Sequence, residues 1–320
     1  MKKLYVLIFI TLIPIITFGQ AKKLYRQATR ATNPKEKIEL FTQVIALEPK
    51  NLDAYFYRGI AKNDVGDYSG AILDYTKILF YKPDADSYYN RGNSKYNLQD
   101  YLGAKLDYEQ ALKLDPQFID AQYNLASTKY FLEDYMGAIT DLSKIIEVAP
   151  TESKAYTQRA NALLALRKYK LALQDFSMAV LTNPNANTYY NRGLTHLNIN
   201  YYKQAKKDFD RSLNFDANND SAYFFRGASH LLLGKYTKAI SDFNTTLKYN
   251  ASDYEAILGL AIAYHKINDT QKAKLNLKKA KSLLSDFSEE SQSINLFSDT
   301  YWYKNQFYFF KQNLEALNNI

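Results

Sequence analysis

Five arginines in this 320-residue chain are each followed, sixteen places on, by an aspartate: Arg58 by Asp74, Arg91 by Asp107, Arg159 by Asp175, Arg192 by Asp208 and Arg226 by Asp242. Two chemistries suit that pattern. A row of guanidinium groups could bind anionic ligands, or each arginine could close on its own aspartate, because a half-buried guanidinium needs a fixed carboxylate. Repetition along the whole chain is the mark of a structural device, so the pairs read as internal latches. The three histidines are His196, His230 and His265. His196 and His230 hold equivalent places in neighbouring repeats, about 10 Å apart if those repeats stack as helices. That is too far to share a metal ion, which sits about 2 Å from each ligand. With no cysteine and no His-Glu-x-x-His pattern, neither metal nor cofactor is expected. Nucleophile elbows, phosphate-cradling glycine loops and catalytic His/Asp spacings are missing too, and the chain reads as non-enzymatic.

A period places these residues. Pro49, Pro83, Pro116, Pro150 and Pro184 stand 34, 33, 34 and 34 residues apart, and Ala217 and Ala251 take the next two slots. A spacing of this size signals a helical array. Let the proline be position 32 of each repeat. Position 8 is then small throughout: Gly59, Gly92, Ala126, Ala160, Gly193, Gly227 and Ala261. Position 20 is alanine in all seven copies, from Ala71 to Ala273. Position 24 is large (Tyr75, Tyr108, Leu142, Phe176, Phe209, Phe243, Leu277), and position 17 is tyrosine in every copy except the last, which has Thr270. Two helices of about 14 residues joined by a short polar turn such as Gly66-Asp67 account for this. The small residues mark the helix crossing, the large ones fill the seams, and the proline ends the second helix. The latch arginines stand at position 7 and the aspartates at position 23, on facing helices.

This pattern resembles the tetratricopeptide repeat family, over residues 52–283 almost without a break. The resemblance implies an all-α, right-handed solenoid of about eight helix-turn-helix repeats that binds protein or peptide partners. The domain reading is a degenerate N-terminal repeat or cap (20–50, with Lys37 at the small position), seven repeats (51–283), a Ser/Glu-rich linker (284–297) and a C-terminal capping helix (298–320). In this family the first helix of each pair lines a concave groove. The groove-facing positions here hold Tyr89, Asn90, Asn93, Tyr96, Tyr123, Asn124, Tyr130, Lys154, Asn161, Tyr190 and Asn191, together with Phe224 and Phe225. Asparagine amides can hold an extended backbone while aromatics receive its side chains. Some relatives clamp a terminal carboxylate; Asn93, Asn124 and Lys154 match that clamp, whereas Tyr89 and Gln158 stand where it has cations. An altered peptide groove is therefore expected, with its amides held ready for a strand.

The net charge of +8 is not arranged as a nucleic-acid stripe. Lys2 and Lys3 precede a mostly apolar run over residues 4–18, after which Thr17 and Gly19 suit cleavage before Gln20. Residues 1–19 read as an export signal, which puts the mature chain in the periplasm or cell envelope, or outside the cell, without a membrane span. In the last helix, expected to start at the N-cap Ser298, Tyr303, Phe307, Phe310, Leu314 and Leu317 form one apolar face able to close the stack. Tyr301, Trp302, Tyr308 and Phe309 form a second. That second face leaves an alternative open, a structural envelope subunit that assembles through its convex surface and C-terminal helix.

Overall fold

The computed structural model describes residues 19–284 and 294–319, which are all helix, turn and loop. The expected signal segment and most of the expected linker lie outside the described residues. The chain divides at Pro150 into two compact units. The first holds α1 (19–30), α2 (Pro34–Leu47), α3 (Leu52–Asp64), α4 (Tyr68–Tyr81), α5 (Ala85–Asn97), α6 (Tyr101–Leu114), α7 (Ile119–Phe131) and α8 (Tyr135–Val148). The second holds α9 (Ser153–Ala165), α10 (Tyr169–Thr182), α11 (Ala186–Asn198), α12 (Tyr202–Phe215), α13 (Asp220–Leu232), α14 (Tyr236–Tyr249), α15 (Tyr254–Lys266) and α16 (Thr270–Ser282). A 3-10 turn (Ile294–Phe297), α17 (Tyr301–Asn305) and α18 (Phe307–Asn318) follow. Each unit is a solenoid of antiparallel helix hairpins, every helix packing on its neighbours in sequence.

The hairpin turn follows one rule in all seven repeats. Position 15 takes a left-handed backbone, at Gly66 (φ 80), Gln99 (φ 63), Glu133 (φ 60), Arg167 (φ 55), Asn200 (φ 64), Gly234 (φ 72) and Asn268 (φ 63). Only two of these are glycine, so packing of the paired helices imposes the turn on side chains that resist it. In the first unit Asp67, Asp100 and Asp134 then cap the second helix by accepting from the backbone N–H of Gly70, Gly103 and Gly137, all at 2.9 Å. In the second unit Asp269 caps α16 in the same way, at 3.2 Å, whereas Lys168, Tyr201 and Lys235 stand at that place and make no such cap.

Close approach explains the small positions. A Cβ on Gly59 would come within 2.8 Å of the Tyr75 ring, and one on Gly92 within 2.8 Å of Tyr108. Where position 24 is leucine, at Leu142 and Leu277, position 8 can be alanine (Ala126, Ala261). Ala160 against Phe176 is the one place where a methyl meets an aromatic partner. The second helix ends in an extended residue before the proline, as at Lys82 (φ −147) and Asn183 (φ −148). Asp216 and Asn250 adopt the same conformation before Ala217 and Ala251. Proline reinforces that stop and is not required for it.

Candidate functional site

All five arginine–aspartate pairs meet, and each is bidentate. Nε and Nη2 donate to the two carboxylate oxygens at 2.9 and 2.6 Å for Arg58–Asp74, 2.8 and 2.7 Å for Arg91–Asp107, 2.8 and 2.8 Å for Arg159–Asp175, 2.9 and 2.6 Å for Arg192–Asp208, and 3.0 and 2.6 Å for Arg226–Asp242. The aspartates are buried. Each guanidinium also lies against the tyrosine three residues before it, from 5.2 Å at Tyr223 to 5.8 Å at Tyr156. A third nitrogen reaches the preceding hairpin from Arg58 to Thr42 and from Arg91 to Thr76 at 3.1 Å, and from Arg226 to Asp210 at 3.2 Å. Hydrogen bonds donated to the aspartates raise the Arg159 and Arg192 pKa values above the ordinary guanidinium range. So bound, the arginines tie helix to helix and hairpin to hairpin and are committed to the fold.

Position 11 completes the latch with a series of lysines and histidines that the arginine–aspartate spacing does not reveal. Lys62, Lys95 and Lys129 reach Asp74, Asp107 and Asp141 at 2.9, 2.7 and 2.6 Å. His196 Nδ1 lies 2.9 Å from Asp208, and His230 Nε2 lies 3.8 Å from Asp242. Asp141, which lacks an arginine, is thus held by a lysine. Burial opposes ionisation of Asp208, but hydrogen bonds from His196 and Arg192 outweigh it and lower its pKa. Burial lowers the pKa of His230, against the pull of Asp242. The recurrence of Lys or His at position 11 was the signal available in the sequence.

In the first unit the groove-facing positions of α3, α5 and α7 border a cleft of about 390 Å³. Asn63, Asn93 and Asn124 rise into it on a diagonal, with Tyr96, Tyr108 and Ser127 beside them. The amides are not idle in the way the sequence suggested. Asn93 Oδ1 accepts from Tyr108 OH and from Asn124 Nδ2, both at 2.7 Å. Asn63 Oδ1 accepts from Ser94 Oγ at 2.8 Å. Burial holds the Tyr108 phenol far above its ordinary pKa, so it stays a donor. The Asn93 amide nitrogen and the Asn124 carbonyl oxygen have no partner among the described residues and remain available to a ligand.

The other expected groove residues divide. Tyr89 lies 4.7 Å from the Phe118 ring, and Tyr96 packs edge-on against Tyr101 and Phe131, at 5.4 and 5.8 Å. Tyr130 packs edge-on against Tyr135 at 5.3 Å. Asn90 donates to the Asp86 carbonyl of its own helix at 2.8 Å and stays half-exposed, whereas Tyr123 is buried in the core, so its ring is not offered to a groove. Both placements have one cause: a helical side chain leans back over the turn before it, where a polar head finds backbone and a ring finds packing. Lys154, Asn161, Tyr190 and Asn191 belong to the second unit. Lys154 is exposed, Asn161 and Asn191 are half-buried, and Tyr190 packs on Phe209 and Phe225 at 5.9 and 6.0 Å.

In the second unit the chain's own C-terminal segment covers the groove-facing positions of α13 and α15. Tyr301 N–H donates to both Glu255 oxygens, at 3.0 and 2.8 Å. The Trp302 indole N–H donates to the Glu255 carbonyl at 2.9 Å. The Trp302 ring, fully buried, lies 6.0 Å from Phe224 and 6.1 Å from Phe243, and Tyr301 packs edge-on against Phe225 at 5.4 Å. Gln306 accepts from Tyr202 OH at 3.3 Å. Burial pushes the Glu255 carboxyl up to about 7. Two expectations change here. The single helix from Ser298 is two helices, capped at Thr300 and broken at Gln306. The supposed second apolar face is not free, because Trp302 is internal and Phe309 half-buried, leaving Tyr308 exposed at 87%. The break lets the segment before it turn inward while Phe310, Leu314 and Leu317 stay buried in α18.

Comparison with known proteins agrees with this architecture. Tetratricopeptide repeat family models match residues 85–118, 186–219 and 226–275. Among solved structures, the C-terminal part of a TPR repeat-containing protein from Cytophaga hutchinsonii aligns with TM-score 0.61 at 19% identity, covering 76% of this chain and 99% of that one. A tetratricopeptide repeat protein from Parabacteroides merdae aligns with TM-score 0.59 at 19% identity, covering 81% and 99%. The APC/C hetero-tetramer Cut9-Hcn1 aligns with TM-score 0.53 at 15% identity, covering 88% of this chain and 55% of that one. No curated protein matches the sequence. Among the described residues no helix is long and apolar enough to cross a membrane.

Proposed function

We propose, on the premise that this chain is a tetratricopeptide-repeat protein, that its first unit holds an extended peptide in the cleft between α3, α5 and α7. Proteins of this build are interaction scaffolds, and this chain is one. The observation that carries the binding mode is the bond between Asn93 and Asn124. It fixes two amides from successive helices and leaves an N–H₂ and a C=O side by side, the complement of one peptide unit. Tyr89 and Tyr96 flank them as apolar walls for the ligand's side chains. The latch residues take no part, being saturated by one another, and the reading is non-enzymatic. Selection from a random peptide display library on the full chain tests it. Enriched peptides should lose about fivefold in affinity when Asn124 becomes Leu, since one hydrogen bond to the ligand, of about 1 kcal/mol, is removed. Undiminished binding to Asn124→Leu would remove the cleft from consideration.

The same proposal places the scaffold outside the cytoplasm, on the order Lys2-Lys3, apolar run, Gly19-Gln20. Mass spectrometry of envelope-extracted protein should find Gln20 at the N-terminus; an intact Met1 would refute it.

A further inference from the structure

The segment over residues 300–306 does more than close the end of the stack. Closure is the work of α18, whose Phe310, Leu314 and Leu317 lie in the core shared with α15 and α16. The preceding segment covers a different surface: Glu255 at position 2 of its repeat, Phe224 and Leu258 at position 5, Phe225 at position 6. These are the groove-facing positions by register. Together with α13, α14, α16 and α18 it leaves eight consecutive residues of α15, 256–263, buried. The contacts are also of a ligand's kind. A carboxylate takes a main-chain N–H, a main-chain carbonyl takes the indole N–H, and one large ring enters whole. Beside it a space of about 230 Å³, bordered by Ser221, Phe225, Thr246 and Tyr301, remains open along the same face.

We propose that the α13/α15 face is a second peptide-binding site, selective for a short one-turn helical segment with adjacent tyrosine and tryptophan, and that residues 300–306 are its resident ligand. A partner segment of that chemistry gains the site by displacing the resident one. This site is separate from the asparagine cleft of the first unit and differs in kind, being apolar with a single carboxylate where the other is lined by amides. Tethering gives the resident segment an effective concentration on the order of millimolar, so a free peptide competes poorly against the intact chain.

The test uses the full chain and a capped synthetic peptide with the sequence of residues 298–307. Trp302 is the chain's one tryptophan, so in Trp302→Ala the peptide supplies the only indole. The peptide should bind Trp302→Ala saturably, with a blue-shifted emission, and at least about tenfold more tightly than it binds wild type. A peptide with its tryptophan replaced by alanine, followed by polarisation of a terminal label, should not bind. Absence of binding to a Trp302→Ala chain of wild-type helicity overturns the proposal, as does equal affinity for both chains. Should Trp302→Ala fail to fold, Tyr301→Ala serves, because it trims a half-buried ring and leaves the indole in place. Labelled peptide must then bind Tyr301→Ala more tightly than wild type, and equal binding overturns the proposal. Asn124→Leu, which tests the first unit, should leave this binding unchanged, so the two readings fail separately.

Discussion

The carboxylate of Glu255 receives the backbone N–H of Tyr301 across 46 residues of sequence, at 3.0 Å on one oxygen and 2.8 Å on the other. It joins the last hairpin to the segment that covers it, and it is a titratable joint.

Glu255 stands at about 7 because burial disfavours its charge; the Tyr301 N–H and Lys304 draw it down in part, and Asp253 pushes it up. Tyr254 and Asp299 also stand close in this electrostatic neighbourhood. When the segment leaves, the carboxyl relaxes toward the ordinary 4.5. Between those values the docked state holds a proton that the released state lacks. Docking is therefore strongest below about pH 4.5, weakens as pH rises through the window and levels off above about 7. Acrylamide quenching of Trp302 should be greater at pH 8 than at pH 5, and Glu255→Gln should flatten the difference. Quenching that grows toward acid, or a profile that survives Glu255→Gln, would contradict this role.

Arg159 and Asp175 form the simplest of the latches, because position 11 of that repeat is Leu163 and supplies no second cation. Arg159→Ala and Asp175→Ala should each lower unfolding free energy by about 1–3 kcal/mol in urea, since either leaves a half-buried charge unpaired. The double substitution should cost far less than the sum. Asp208→Ala should cost more than Asp175→Ala, as it strands both Arg192 and the His196 ring. Strict additivity in the first pair would mean that the guanidinium is not committed to its aspartate.

Asn93→Ala should lower thermal stability, by about 1–2 kcal/mol, because Tyr108 and Asn124 both lose their acceptor in a partly buried place. On sequence alone the same change looks neutral or slightly favourable, since alanine is the better helix former. Asn90→Ala is the control. Its amide bonds only to its own helix at Asp86, so the melting temperature should stay near that of wild type. Equal shifts for the two variants would show that the Asn93 bonds carry no stability.

The sequence by itself determined whatever depends on fixed spacing along the chain. A period of about 34 residues and small residues at the helix crossing recur in all seven repeats, and an arginine sixteen places before an aspartate recurs in five of them. Helix geometry converts such spacings into contacts without knowledge of the rest of the fold. Tertiary structure alone decided which surfaces meet when the choice is not repeated. Asn93 and Asn124 pair because α5 and α7 stack with a particular offset, and the pairing turns two amides from free groups into a fixed acceptor and donor. Nothing in the spacing around Glu255 tells that the C-terminal segment lies on it. Trp302 read as part of an exposed stripe, because helical periodicity tells that residues share a face and is silent on what covers the face. A break at Gln306 reversed that reading, since it lets residues 301–305 turn into the groove while α18 keeps its own apolar side on the stack. Repeated contacts are written into the sequence many times over; a contact made once is decided by the free energy of the whole fold.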